Sequence, residues 1–222
     1  QWQNQAKIQY ELDADQQNMG NYTSYKVGQD GSWIPESRFT ELKIPAEKKT
    51  LSNTYQWSSK DQDWVLSSQV QVFLNEKDQV QDVLLMELDD ESQQLKVRHE
   101  QMHFYDQHGR INLVQDISYG GDTVFGTQRG VKYDADGSIY QENRYELDAE
   151  NDTWKDTGST EFIFDKNVIL GNAEEQKIMD YFMLSEHNYV SKKYAVKKVK
   201  IYQIVEGEKT LSGEYDYYYS QK

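Results

Sequence analysis

The sequence predicts an all-β fold, an extended antiparallel meander of repeated hairpins in a single curved sheet, on the strength of three observations. The stretch Tyr10-Glu11-Leu12-Asp13-Ala14-Asp15 returns as Tyr145-Glu146-Leu147-Asp148-Ala149-Glu150, so one structural unit is used more than once. In both copies a large apolar residue, Met19 or Trp154, stands nine positions after the Tyr, with polar and acidic residues between. Between such units lie short Tyr-Asp-x-x-Gly stretches of tight-turn chemistry.

The first frame recurs at Tyr55-Gln56-Trp57 leading to Trp64, at Met86-Glu87-Leu88 leading to Leu95, and at Tyr202-Gln203-Ile204 leading to Leu211. An aromatic, a polar and an apolar residue in succession put two side chains on one face of a strand, because side chains alternate with period two. The polar middle reverses the chain. The return strand then begins at the apolar residue, as in Trp64-Val65-Leu66 followed by Val70, Val72 and Phe73, or Trp154 followed by Phe162 and Phe164.

The second turn type is read in Tyr105-Asp106-Gln107-His108-Gly109-Arg110-Ile111 and in Tyr133-Asp134-Ala135-Asp136-Gly137-Ser138-Ile139. Asp accepts hydrogen bonds from nearby backbone, and Gly takes the positive φ that such turns demand. Asp30-Gly31 and Asp165-Lys166-Asn167 read as divergent versions. Starts near 55, 86, 117 and 145 give a spacing of about 30 residues, which accommodates two hairpins.

One segment departs from this pattern. Asn172-Ala173-Glu174-Glu175 resembles a capping box, and Ile178, Tyr181, Phe182 and Ser185 follow at helical spacing, which predicts one short helix near 172–185. Lys192, Lys193, Lys197, Lys198 and Lys200 interleave with Val196, Val199 and Ile201, as on a Lys-guarded strand near a sheet edge. No Pro/Gly/Ser-rich linker divides the 222 residues, so a single domain over 1–222 is expected.

Composition narrows the function classes. With 24 Lys and Arg against 38 Asp and Glu, the net charge of −14 repels nucleic-acid backbones and anionic lipid. No run approaches the roughly 20 apolar residues of a membrane span. Cysteine is absent, which removes disulfides, thiolate nucleophiles and Cys-ligated zinc. Mean hydropathy is only −0.94, yet 17 tyrosines supply side chains that cover area while keeping a polar tip wet, as a thin two-sided sheet requires. The start Gln1-Trp2-Gln3-Asn4-Gln5 carries neither a Met nor an apolar signal region and is expected to be a mature or trimmed end.

The two Tyr-Asp-x-x-Gly stretches, each followed by an aliphatic residue two positions on, resemble the YD repeats of Rhs and teneurin-type surface proteins. The wider pattern is similar to secreted, β-hairpin-rich proteins of unknown function from gut-dwelling Gram-negative anaerobes. Both resemblances imply a secreted, periplasmic or cell-surface location, and neither brings a functional residue with it.

One catalytic signature stands in the chain. His99-Glu100-Gln101-Met102-His103 is a His-Glu-x-x-His, which on a helix aims two imidazoles at one zinc with Glu as general base. In the repeat frame, however, the stretch occupies the slot of a returning strand. Positions four apart are then about 13 Å from each other, against zinc–nitrogen bonds of about 2 Å. A zinc metallopeptidase on these residues is therefore the alternative rather than the leading reading. A second alternative is a calcium-stabilised adhesin using acidic runs such as Asp89-Asp90-Glu91 and Asp134/Asp136, although none continues into an EF-hand loop.

The leading expectation is a non-catalytic extracytoplasmic binding or structural module that presents a broad sheet face to a glycan or a protein and needs no cofactor. Its candidate ligand-binding residues are the recurrent aromatics Trp33, Trp57, Trp64, Tyr105, Tyr133 and Trp154. The same residues in a half-buried ladder would form the core of a thin sheet, and the scarcity of aliphatic residues favours that use.

Overall fold

The computed structural model describes residues 6–11, 21–121, 123–169 and 194–218. The strands are β1 (Ala6–Glu11), β2 (Asn21–Val27), β3 (Trp33–Ile44), β4 (Lys49–Ser58), β5 (Asp63–Leu74), β6 (Val80–Leu88), β7 (Leu95–Tyr105), β8 (Ile111–Gly120), β9 (Thr123–Tyr133), β10 (Ile139–Asp148), β11 (Thr153–Ile169), β12 (Tyr194–Val205) and β13 (Glu208–Asp216). Their order in the sheet is their order in the chain, so the all-β antiparallel meander expected from the repeat is the fold. A 3-10 turn at Pro45–Glu47 is the one helical element among the described residues. The helix predicted near 172–185 lies outside them.

The register explains the nine-residue frame. Trp57 pairs with Trp64, Leu88 with Leu95 and Leu147 with Trp154, each pair closing a hairpin immediately before its polar tip. The tips share one solution. Gln62, Gln93 and Asp152 take left-handed backbone, with φ of 53°, 54° and 51°. The side-chain amides of Gln62 and Gln93 donate to the carbonyls of Ser59 and Asp90, at 2.7 and 2.8 Å. The first residue of the tip accepts from the residue three on, as Asp89 Oδ1 does from the amide and hydroxyl of Ser92.

The tight turns form a second family. In each, the residue before the tip receives and returns backbone hydrogen bonds: Asp106 N–H donates to Arg110 O, Gly109 N–H donates to Asp106 O, and the same pair recurs at Asp134, Ser138 and Gly137. Gly109 and Gly137 have φ of 76° and 89°. The same pattern recurs at residues 28–32 and 75–79, where Asp78 holds φ 59° in place of glycine.

The chain forms two compact units, Gln1–Met102 with Ile117–Val124, and His103–Asp116 with Phe125–Lys222. They differ in how they bury apolar surface. In the second unit Val131, Ile139, Phe162 and Val196 make a buried cluster, with Tyr133, Phe164, Val199 and Tyr217 packed on it. In the first unit no hydrophobic residue is fully buried among the described residues, and Thr23 is its single buried side chain. The first unit is therefore a sheet whose side chains are half-exposed on both faces.

Candidate functional site

Because directly opposed residues project to the same side of a sheet, the register of the first unit lays out one face in rows. Thr40, Asn53, Gln69 and Met86 are opposed in turn across β3 to β6, and Leu42, Leu51, Gln71, Leu84 and Glu100 form the adjacent row across β3 to β7. The polar members are joined by side-chain hydrogen bonds. Asn53 Nδ2 donates to Thr40 Oγ1 at 3.5 Å, Gln69 Nε2 to Asn53 Oδ1 at 2.7 Å, and Gln71 Nε2 to Gln69 Oε1 at 2.5 Å. Each amide carries two N–H donors and two acceptor sites; Gln71 spends its second N–H on Met86 Sδ at 3.2 Å, so the head-to-tail chain fixes the orientation of every member and leaves a donor and an acceptor together on Asn53 and Gln69.

The aromatic end of the same face is built by the hairpin closure. Trp57 and Trp64 meet edge to face, 5.2 Å between ring centroids at 71°. Trp33 pairs with Val27, and the alternation along β2 from Thr23, itself two places across from Tyr55 by way of Arg38, puts Trp33 on the same face. Trp33 is exposed, whereas Trp57 and Trp64 are half-buried. At the acidic end Tyr119 donates to Glu100 Oε2 at 3.0 Å. Burial, reinforced by the charge of Glu100, raises the pKa of Asp82 above the ordinary carboxylate range.

The opposite face of the first unit carries a ladder that the candidate ligand-binding aromatics do not include. Tyr10, Tyr22 and Phe39 are opposed across β1, β2 and β3, with centroids 6.0 and 5.4 Å apart, and Tyr10 is exposed. The period-two pattern places each of these rings on a strand. What aligns them is the pairing register, which no local stretch of sequence displays.

The remaining sequence candidates belong to the second unit. Tyr133 donates its hydroxyl to Ile111 O at 2.7 Å, lies 4.2 Å beneath the Arg110 guanidinium and packs on the buried cluster. Tyr105 is half-buried, and burial raises its pKa. Trp154 is half-buried beside Leu147, and both rest against Gly126, where a Cβ would approach Leu147 Cβ to 2.9 Å and the Trp154 ring to 3.0 Å. The six predicted residues thus divide into Trp33, Trp57 and Trp64 on one face of the first unit and three residues with separate surroundings in the second.

The His-Glu-x-x-His stretch lies within β7, as the repeat frame requires. His99 and His103 are four residues apart on that strand, a separation of about 13 Å. Glu100 alternates to the other face, where it receives Tyr119, while the ring of His99 is 3.1 Å from Ser118 Oγ. The acidic tips direct their carboxylates inward: Asp89 Oδ1 takes Ser92, Asp89 Oδ2 takes Lys96 at 2.9 Å, and Asp148 Oδ2 takes Asn151 and Lys155. Among the described residues no three His, Asp or Glu side chains group as metal ligands would.

No family model matches the chain, and no curated protein matches it. Among solved structures it is similar to a protein of unknown function from Bacteroides fragilis NCTC 9343, at 11% identity over 70% of this chain and 90% of that one, with a TM-score of 0.40. It is also similar to a candidate 6-phosphogluconolactonase from the same organism, at 8% identity over 96% of this chain and 68% of that one, with a TM-score of 0.27. Scores of this size carry no functional information. The class established by sequence and geometry is an all-β, hairpin-repeat protein, and no helix among the described residues is long and apolar enough to cross a membrane.

Proposed function

We propose that the chain is a non-catalytic extracytoplasmic binding module whose first unit receives a neutral glycan on the face bearing Asn53, Gln69 and Gln71. The observation that carries this reading is the hydrogen-bonded amide row in a unit with no fully buried hydrophobic residue among the described residues. Oriented amides offer a donor and an acceptor side by side, the complement of vicinal sugar hydroxyls. The indoles of Trp57 and Trp64, four to five positions further along β4 and β5 on the same face, present apolar surfaces suited to the C–H side of another pyranose ring of the same chain. The extracytoplasmic location is supported by the resemblance of the Tyr-Asp-x-x-Gly turns to those of surface proteins.

The test is calorimetric titration with soluble neutral polysaccharides and their oligosaccharides. Saturable binding that weakens at least tenfold in Gln69→Ala and in Trp57→Ala, both with wild-type circular dichroism, is expected. Absence of saturable binding across such a panel, or binding indifferent to both substitutions, overturns the proposal and leaves a protein ligand as the reading of this face.

A further inference from the structure

In the second unit, two arginines stand side by side where the sheet supplies too little negative charge to hold them. Arg129 on β9 and Arg144 on β10 are directly opposed in the register. Opposed residues have Cβ atoms about 5 Å apart, and like charges so placed destabilise a sheet. A pairing of this kind persists when something neutralises it. The neighbouring acid on the same face is Glu142, two residues before Arg144 and directly opposite Val131 and Thr160.

Glu142 is poorly suited to the task. Burial is the largest influence on its carboxyl and raises its pKa, although Arg129 and then Arg144 act to lower it. Even fully ionised, one carboxylate leaves the group of three with a net positive charge. The next acid along the strand, Glu146, is exposed and directly opposes Lys155.

One donor of the pair is left over. Arg129 Nε is buried and has no hydrogen-bond partner among the described residues. Arg144 Nη2 reaches a backbone acceptor, Tyr202 O, only at 3.4 Å. That approach passes Gly158, which directly opposes Arg144 and whose backbone, with φ +149°, lies so close to Tyr202 that a Cβ would come within 2.2 Å of its carbonyl oxygen. A buried unsatisfied guanidinium donor costs more than a neutral one, and a planar guanidinium matches an oxyanion with two parallel hydrogen bonds.

We infer that Arg129 and Arg144 form an oxyanion-binding site, with Glu142 limiting the affinity, for the carboxylate or sulfate group of a ligand. In a chain of net charge −14 the site is local: it selects an anionic group and does not attract polyanions at a distance. It is separate from the amide face, lies wholly within the second unit and stands or falls independently of it.

The experiment is titration of the intact protein, at fixed ionic strength in chloride, with sodium sulfate, with glucuronate and with a soluble polyuronate. Wild type is expected to bind at least one of these saturably. Arg129→Gln and Arg144→Gln should each weaken that binding at least tenfold, and Glu142→Gln should tighten it several-fold by removing the competing charge. If Arg129→Gln does not fold, Arg129→Lys retains the charge without the guanidinium fork and must also lose tenfold. A polyuronate bound more tightly per chain than glucuronate assigns the group to an acidic polysaccharide, and equal affinity assigns it to a free small anion. No saturable binding of any of the three, binding unchanged in the arginine variants, or binding weakened in Glu142→Gln overturns the site.

Discussion

Single glycines decide how closely the strands of the second unit can approach. At Gly158 the backbone has φ +149°, where side chains other than hydrogen are strained, and the position of a Cβ is occupied by Tyr202 O. Gly158→Ala therefore combines backbone strain of about 1–3 kcal/mol with a clash that only separation of β11 from β12 can relieve. A fall in stability of at least about 3 kcal/mol by urea denaturation is expected, and a loss under about 1 kcal/mol would show that the strands part easily. Gly126 acts differently, since its obstacles are the side chains of Leu147 and Trp154, which can move. From sequence alone Gly158 reads as part of a polar strand, Asp156-Thr157-Gly158-Ser159-Thr160, because the partner that crowds it is some 45 residues away.

At the scale of the hairpin, most of the architecture was legible because turn chemistry is local. Trp57, Leu88 and Leu147 each announce a closing pair, and Asp106 with Gly109 or Asp134 with Gly137 announce a tight turn. The turn at residues 75–79 escaped because Asp78 adopts the left-handed conformation that glycine signals elsewhere, and Asn75 Oδ1 supplies the acceptor for Lys77 and Gln79 amides. The long tips also depend on non-glycine residues with positive φ. Gln93→Val places a β-branched side chain at φ 54° and removes the bond to Asp90 O, so a destabilisation of about 1–2 kcal/mol is expected in thermal or urea unfolding. An unchanged midpoint would mean that the tip re-forms with another backbone.

The tip at Asp148 adds a dependence on pH. Its carboxylate is held by Lys155 first and by Asn151 next, which lowers its pKa to about 2. A depressed acid contributes stability that is complete above its unfolded value of about 4 and is lost as the pH falls through the folded value. Asp148→Asn should therefore lower the melting temperature relative to wild type above about pH 4, and the two curves should converge near about pH 2. Glu142 has the opposite sign. Its raised pKa means that ionisation above its unfolded value works against folding, so Glu142→Gln should gain on wild type as the pH rises from about 4 through the folded value.

At the scale of the whole chain, the scarcity of aliphatic residues is resolved unevenly, and composition could not reveal that. The tyrosine-rich, low-hydropathy sequence suits a thin sheet throughout, yet Val131, Ile139, Phe162 and Val196 concentrate the buried apolar surface in the second unit. The candidate surfaces follow the same division. The amide row occupies the unit without buried hydrophobic residues among the described residues, where polar side chains remain half-wet on both faces, and it was not legible because Asn53 is brought to Gln69 and Gln71 only by the register of β4 and β5. Stability should follow burial. Phe162 is 6% exposed and touches the cluster from β11, so Phe162→Ala removes packed atoms from a site with little room to relax and is expected to cost about 3–5 kcal/mol. Leu42, on a strand of the first unit, is 54% exposed, and Leu42→Ala is expected to cost less than about 1 kcal/mol. Native-state hydrogen exchange reads the same contrast without mutation, because amides open with the free energy of their own cooperative region. The slowest-exchanging amides should lie in the paired stretches of β10, β11 and β12, with those of β2 to β5 exchanging through smaller openings. Equal protection in both sets would mean that the cross-strand hydrogen bonds of the amide row and the Trp57–Trp64 closure stabilise the first unit as effectively as a buried core does the second.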